Sequence, residues 1–143
     1  MSDSDLMQLY SRRILALAAD IPHLGRLDAP DATASVRSPQ CGSTVTVDVG
    51  VTDARLTRLG MEVRACALGQ ASAAVLGAAA PGQSLDSIRK GRDQLQAMLT
   101  SGGPVPDAPF DGLEVLLPAR EFANRHASIL LAWNATVQAM DAA

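Results

Sequence analysis

Thr44-Val45-Thr46-Val47-Asp48-Val49-Gly50-Val51 decides the fold. Valines at 45, 47, 49 and 51 alternate with Thr44, Thr46 and Asp48, and a period of two puts the four valines on one face of a strand. That apolar face has to be buried against something. On the C-terminal side, Thr52-Asp53-Ala54-Arg55 has the composition of a turn. Leu59, Met61 and Val63 then alternate with Arg58, Glu62 and Arg64, which predicts a further strand. On the N-terminal side, Ala34 to Ser38 reads as a short strand stopped by Pro39. Short links between consecutive strands predict a three-stranded antiparallel meander.

The cover for the valine face must come from the flanking segments. Ser2 to about Ala19 has Leu6, Tyr10, Ile14 and Leu17 on one helical face, and Ser2 with Asp5 resembles a capping box. Ile21 to Leu27 carries Pro22 and Gly25 and reads as an irregular connection. Cys66 to Ala79 is small and apolar almost throughout, which predicts either a buried helix or a helix packed close on the sheet, ended by Pro81-Gly82. Ser84 can cap a helix over Leu85 to Thr100, with Ile88, Leu95 and Leu99 inward and Arg89, Lys90, Arg92 and Asp93 outward. Ser101 to Pro109 reads as a loop, Leu113 to Leu117 as a short helical piece, and Arg125 to Met140 as a last helix carrying Leu130, Trp133, Val137 and Met140. The order helix, three strands, helices predicts an α+β fold: a three-stranded antiparallel sheet with helices packed on one face.

Composition bounds the function classes. A length of 143 residues predicts a single domain spanning 1–143. Twelve Lys+Arg against 15 Asp+Glu give a net charge of −3, which excludes a nucleic-acid binder working through a broadly basic surface. No apolar run reaches the roughly 18 residues that a membrane span needs. The polar, acidic opening is unlike a signal peptide, so a cytoplasmic location is expected. The chain has no Ser–His–Asp spacing, phosphate loop or carboxylate cluster, and Arg12-Arg13 and the Arg89–Arg92 run read as solvated helix faces.

Chemistry is left to two thiols and their surroundings. Cys41, flanked by Pro39 and Gly42, predicts a tight turn leading into the Thr44 strand. Cys66 falls where the third strand ends and a helix begins. There the unpaired N–H groups of the first turn favour thiolate. A hairpin between the second and third strands would bring both cysteines to one rim, as packing groups, metal ligands or reactive thiols. His126 shares a helix face with Leu130, Trp133 and Val137, which suits either a half-buried packing role or a ligand role, and His23 reads as a solvated loop residue.

These residues also match a known pattern. Pro39-Gln40-Cys41-Gly42-Ser43-Thr44-Val45-Thr46-Val47 resembles the P-x-C-G-D-x-(V/I)-x-(V/L) segment of the U-type iron–sulfur cluster assembly scaffolds, the IscU, SufU and NifU N-terminal domains. Ala65-Cys66-Ala67-Leu68-Gly69-Gln70-Ala71-Ser72-Ala73 is similar to their G-C-A-(I/L)-S-x-A-S-(A/S), and Gly82-Gln83-Ser84-Leu85 to the G-K-S-L that follows. Phe122 to Trp133 resembles the SufU-type F-P-x-R-x-K-C-x-x-L-A-W, and Pro22 to Leu27 is similar to P-R-N-x-G-x-L. The departures fall in part on the site itself. Ser43 replaces the aspartate, Ser128 the third cysteine, Ala65 a glycine and Gly69 a serine.

The resemblance implies a SufU/IscU-like fold and a scaffold or carrier rather than an enzyme that turns over a small substrate. Cys41 and Cys66 would hold iron or a [2Fe–2S] cluster, and Cys66 would accept sulfur from a cysteine desulfurase for delivery to recipient apo-proteins. A [2Fe–2S] cluster takes four terminal ligands. His126, Ser128 and Ser43 are the further candidates within one chain, and a homodimer pooling two cysteines from each copy is the other source. Zinc on Cys41, Cys66 and His126, serving sulfur transfer, is an alternative cargo. The missing aspartate and third cysteine equally suit a regulatory or interaction protein that has kept the fold and lost the cluster.

Overall fold

In the computed structural model the chain runs α1 (Asp3–Ala18), β1 (Ala32–Arg37), β2 (Thr44–Thr52), β3 (Arg55–Arg64), α2 (Ala67–Ala79) and α3 (Leu85–Thr100), then two 3-10 segments (Asp111–Glu121 and Ala123–Arg125) and α4 (His126–Ala142). Residues 3–39 and 42–143 are described, residues 3–10 by backbone alone. Leu6 and Tyr10 of the expected α1 face, and the Ser2 cap, therefore lie outside the described side chains.

β2 is the central strand, antiparallel to β1 on one side and β3 on the other. The register lines up Val36, Val45 and Val63, then Ala34, Val47 and Met61, then Ala32, Val49 and Leu59 across the three strands. This is the apolar face that the alternation requires, and Val45, Val47, Val49 and Met61 are fully buried in it. The β2–β3 turn is tighter than its four-residue sequence signature. Asp53 and Ala54 alone make it, both at positive φ (52° and 63°), a geometry that matches the right-handed twist of the strands it joins.

The helices cover that face. α4 packs on β1 and β2, while α2 lies against α1 and α4, and α3 against α4. Trp133 of α4 is fully buried, its ring edge-on to Phe110 at 4.9 Å and 84°. Its Nε1 donates to Ser72 Oγ at 3.0 Å, and Ser72 Oγ donates to the Ile129 carbonyl at 2.7 Å. Ser84 caps α3 as expected, its Oγ accepting from Ser87 N at 3.2 Å. The short helix expected at 113–117 is instead a longer 3-10 segment containing Pro118, whose missing N–H suits it poorly to an α-helical interior. The last helix starts at His126, with Arg125 as its cap.

Asp48 points away from the valines, as alternation requires, yet its side chain has no exposure at all. The 22–27 connection lies over it, tied to β3 by Gly25 N to Met61 O (2.8 Å) and Met61 N to His23 O (2.9 Å). Arg26 donates to Asp48 through Nε (2.7 Å) and Nη2 (3.1 Å). The Leu27 amide adds a bond at 3.0 Å and the Thr33 hydroxyl another. The Arg26 hydrogen bonds outweigh the opposing effect of burial and, with Thr33 and Leu27, lower the carboxyl from 3.8 to about 2. A carboxyl depressed on folding adds stability above its unfolded pKa, and that stability is lost as pH falls through the folded value. The expected contribution at neutral pH is about 2 kcal/mol, vanishing between pH ~4 and ~2. Urea unfolding across that window checks this. Asp48→Asn should lower stability at neutral pH by a similar amount and flatten the acid limb.

Candidate functional site

Three elements meet at the end of the sheet where β3 delivers the chain to α2. The backbone of Cys66 is extended (φ −67°, ψ 170°) and caps α2. Its carbonyl accepts from Gln70 N at 2.9 Å, and Gln70 Nε2 closes back on the Ala65 carbonyl at 3.0 Å. Ser128 lies in the first turn of α4 and is 1% exposed, and Ser43 directly precedes β2 and is 7% exposed. The Ser128 hydroxyl donates to Ser43 Oγ at 3.3 Å and sits 3.5 Å from Cys66 Sγ. Two residues 85 apart in sequence and a thiol 62 from Ser128 thus share one cluster.

Gly69 makes this approach possible. A β-carbon there would stand 2.7 Å from Ser128 Oγ and 2.8 Å from the β-carbon of Ala65. The α2 backbone can lie against α4 at this level only without a side chain at 69. On the other wall, Ser38 N donates to Ser43 O at 2.8 Å and Gly42 N to Ser38 O at 3.0 Å, closing the β1–β2 connection. Gly42 takes a positive φ of 69° there, a conformation that glycine adopts without strain.

Burial pushes the Cys66 thiol up, but it is outweighed. The N–H groups of Gly69 and Leu68 at the start of α2, the Ser128 hydroxyl and the charge of Arg125 together hold the thiol below its ordinary value. The sulfur makes no full capping hydrogen bond, so the two N–H groups act as oriented dipoles. A serine hydroxyl has one proton. With a protonated thiol, S–H can donate to Ser128 while Ser128 donates to Ser43. With a thiolate, Ser128 has to donate to sulfur.

Cys66 opens onto a cavity of about 350 Å³ that is also lined by Ala67, Leu68, Phe122 and Arg125. Phe122 is 42% exposed, one of few large apolar side chains among the described residues left open to solvent. The sequence reading assigned neither Phe122 nor Arg125 a role. Their only signal was that they fall on the F and R of the SufU-type segment.

Of the site residues expected from sequence, the structure brings Cys66, Ser128 and Ser43 together. Cys41 lies outside the described residues, and with it the distance between the two sulfurs. His126 is half-buried, two residues before Ser128, and its Nε2 lies 2.8 Å from the Ala119 carbonyl. A neutral ring donating there has Nδ1 as its one ligand atom. His126 is not among the described residues lining the cavity. His23 is exposed in its loop, as expected. Among the described residues no three His, Cys, Asp or Glu side chains cluster as a metal site, and no helix is long and apolar enough to cross a membrane.

The fold and site define a class: an α+β domain whose three-stranded meander and two helix N-termini converge on a half-buried thiol. The structure is similar to the N-terminal domain of a nitrogen-fixing NifU-like protein from Brucella abortus, with 40% identity, a TM-score of 0.90, and coverage of 93% of this chain and 92% of that one. It also resembles a protein from Fervidobacterium islandicum AW-1 described as an iron–sulfur cluster assembly scaffold for the SUF system (TM-score 0.81, 18% identity, 93% and 97% of the chains covered), a likeness of fold. A further solved structure, of a hypothetical protein, matches with a TM-score of 0.79 at 22% identity over 94% and 98% of the chains. No family model and no curated protein matches the chain. The chain belongs to the U-type, NifU-like scaffold family.

Proposed function

We propose that this protein is an iron–sulfur cluster assembly scaffold that uses Cys66 and Cys41 to hold iron or a [2Fe–2S] cluster and takes its sulfur from a cysteine desulfurase. The observation that carries this reading is the meeting of Cys66, Ser128 and Ser43 beside an open cavity. Cys66 matches the family's second cysteine, and the two serines stand where the family pattern has its third cysteine and its aspartate. Cys41 precedes Ser43 by two residues in sequence, in the connection closed at Ser38 and Ser43. A soft thiolate suits iron and zinc, whereas a serine oxygen is a poor ligand for either. The remaining cluster ligands therefore come from His126 Nδ1 or from the cysteines of a second copy.

Sulfur delivery requires one exchange. The Cys66 thiolate attacks the outer sulfur of the donor's persulfide, a new Sγ–S bond forms, the donor's S–S bond breaks, and its thiolate leaves with the electron pair. The N–H groups of Gly69 and Leu68 and the charge of Arg125 favour the thiolate this step needs.

One observation favours a second reading, a regulatory or interaction protein without cargo. The two substituted positions satisfy each other, Ser128 donating to Ser43, so no buried hydroxyl there calls for a metal. Metal and sulfide analysis after anaerobic purification, on the wild type and on Cys41→Ala, separates the readings. Two irons with sulfide, lost in the variant, are expected of the scaffold. One zinc would indicate a sulfur-transfer partner, and absence of metal and sulfide would favour the regulatory protein.

A further inference from the structure

The two edges of the sheet differ. Along β3 the outer edge is covered near both ends. Leu56 N donates to Gln83 O at 2.9 Å and Gly82 N to Leu56 O at 2.7 Å, while Gly25 N donates to Met61 O at 2.8 Å and Met61 N to His23 O at 2.9 Å. Along β1 no strand or bridge among the described residues pairs with the outer edge. Ser38 N donates to Ser43 O at 2.8 Å. By antiparallel alternation the N–H and C=O groups of Val36, Ala34 and Ala32 then turn toward β2, and those of Thr33, Ser35 and Arg37 turn outward. Sheet edges are commonly guarded by proline, lysine or an inward-pointing charge. Pro30 and Pro39 bracket β1 without entering it, and between Asp31 and Arg37 the side chains are only Ala32, Thr33, Ala34, Ser35 and Val36.

We infer that the open edge of β1 is an interface for a second copy of this chain, the two β1 strands pairing antiparallel about a two-fold axis at Ala34. Self-complementarity argues for this occupant. With Ala34 opposite its own copy, Thr33 stands opposite Ser35 of the second copy, and the outward N–H and C=O groups of each such pair exchange both bonds. Ala32 comes opposite Val36 of the second copy, so no bulky side chain meets another at the axis. Asp31 comes opposite Arg37 of the second copy, and Arg37 opposite its Asp31, which places unlike charges together at both ends of the seam. Both side chains are exposed, and Asp31 holds Arg58 only at 4.0 Å. A shift of register by two residues in either direction loses both charge matches. The pairing also closes: it consumes the open β1 edge while the β3 edge is already covered, so it forms a two-fold dimer and no fibre. Across the axis the two Arg37 residues are separated by the span from Asp31 to Arg37, about 20 Å. The two Ser43 clusters lie beyond them on opposite sides of the axis. This dimer therefore does not pool cysteines, and the inference stands apart from the proposed cargo.

The test is sedimentation velocity over a concentration series from ~10 μM to ~1 mM, with amide hydrogen exchange on the same samples. A monomer–dimer equilibrium is expected, and exchange at Thr33 and Ser35 should slow as the dimer forms. Ser35→Pro removes an N–H that points away from β2, so the variant is expected to fold and to stay monomeric. Arg37→Glu sets a carboxylate opposite Asp31 of the second copy at both ends of the seam and should weaken the dimer about tenfold. Its side chain is exposed, and circular dichroism checks the fold of both variants. Cys66→Ala should dimerise as the wild type does. A monomer at every concentration, assemblies larger than a dimer, a dimer that Arg37→Glu leaves unchanged, or exchange at Thr33 and Ser35 that ignores concentration would each overturn the inference.

Discussion

Cys66→Ala is expected to give a folded protein that retains neither iron nor sulfide and takes up no sulfur from a persulfide donor. The loss is total because no other described group can replace the sulfur. Ser128 and Ser43 offer only hydroxyls, and these neither bind iron well nor attack a persulfide at neutral pH. The fold should survive because the sulfur caps α2 without a full hydrogen bond, so the helix loses at most about 1 kcal/mol. Cys66→Ser, which can cap the helix properly, should fold at least as well and be equally inactive, separating chemistry from stability. Iron and sulfide assays, with mass spectrometry for one added sulfur, provide the readout. Wild-type sulfide in Cys66→Ala would sink the proposed role of this thiol. A companion measurement isolates Ser128. Its hydroxyl helps lower the Cys66 thiol, so in Ser128→Ala the pH midpoint of Cys66 alkylation should move up.

Trp133→Ala is expected to cost about 3–5 kcal/mol in urea unfolding, enough to remove a large part of a domain's stability. Trp133 is buried without remainder and packs edge-on to Phe110. Even Gly91 of α3 is held against the pair, since a β-carbon there would meet Phe110 at 2.7 Å and Trp133 at 3.0 Å. Removing the indole therefore opens a cavity between α3, α4 and the Phe110 turn that close neighbours cannot fill. Trp133→Phe keeps most of the packing and loses the bond from Nε1 to Ser72. Ser72 still donates to the Ile129 carbonyl, so no donor is stranded and the expected cost is nearer 1 kcal/mol. Equal losses in the two variants would show that the hydrogen bond, rather than the ring's volume, holds α2 to α4.

By itself the sequence determined the elements and their faces. The alternation from Thr44 to Val51 specified a strand with one apolar side, the small residues after Cys66 a close-packed helix, and Ser84 a helix start. These features are legible because the period of side-chain direction is local, fixed by backbone geometry within a few residues. The positions of Cys66, Ser43 and Ser128 could be matched to a family pattern in the same local way. Only the tertiary structure decided what lies over each face. Alternation put Asp48 on the outward side of β2, and the 22–27 connection then buried it under Arg26. Gly69 looked like a simple departure from the pattern until α4 was laid against it. Ser43 meets Ser128, and Phe122 and Arg125 line one cavity with Cys66, because distant segments pack together. Such meetings depend on the summed packing of the whole chain, and no local period carries that information.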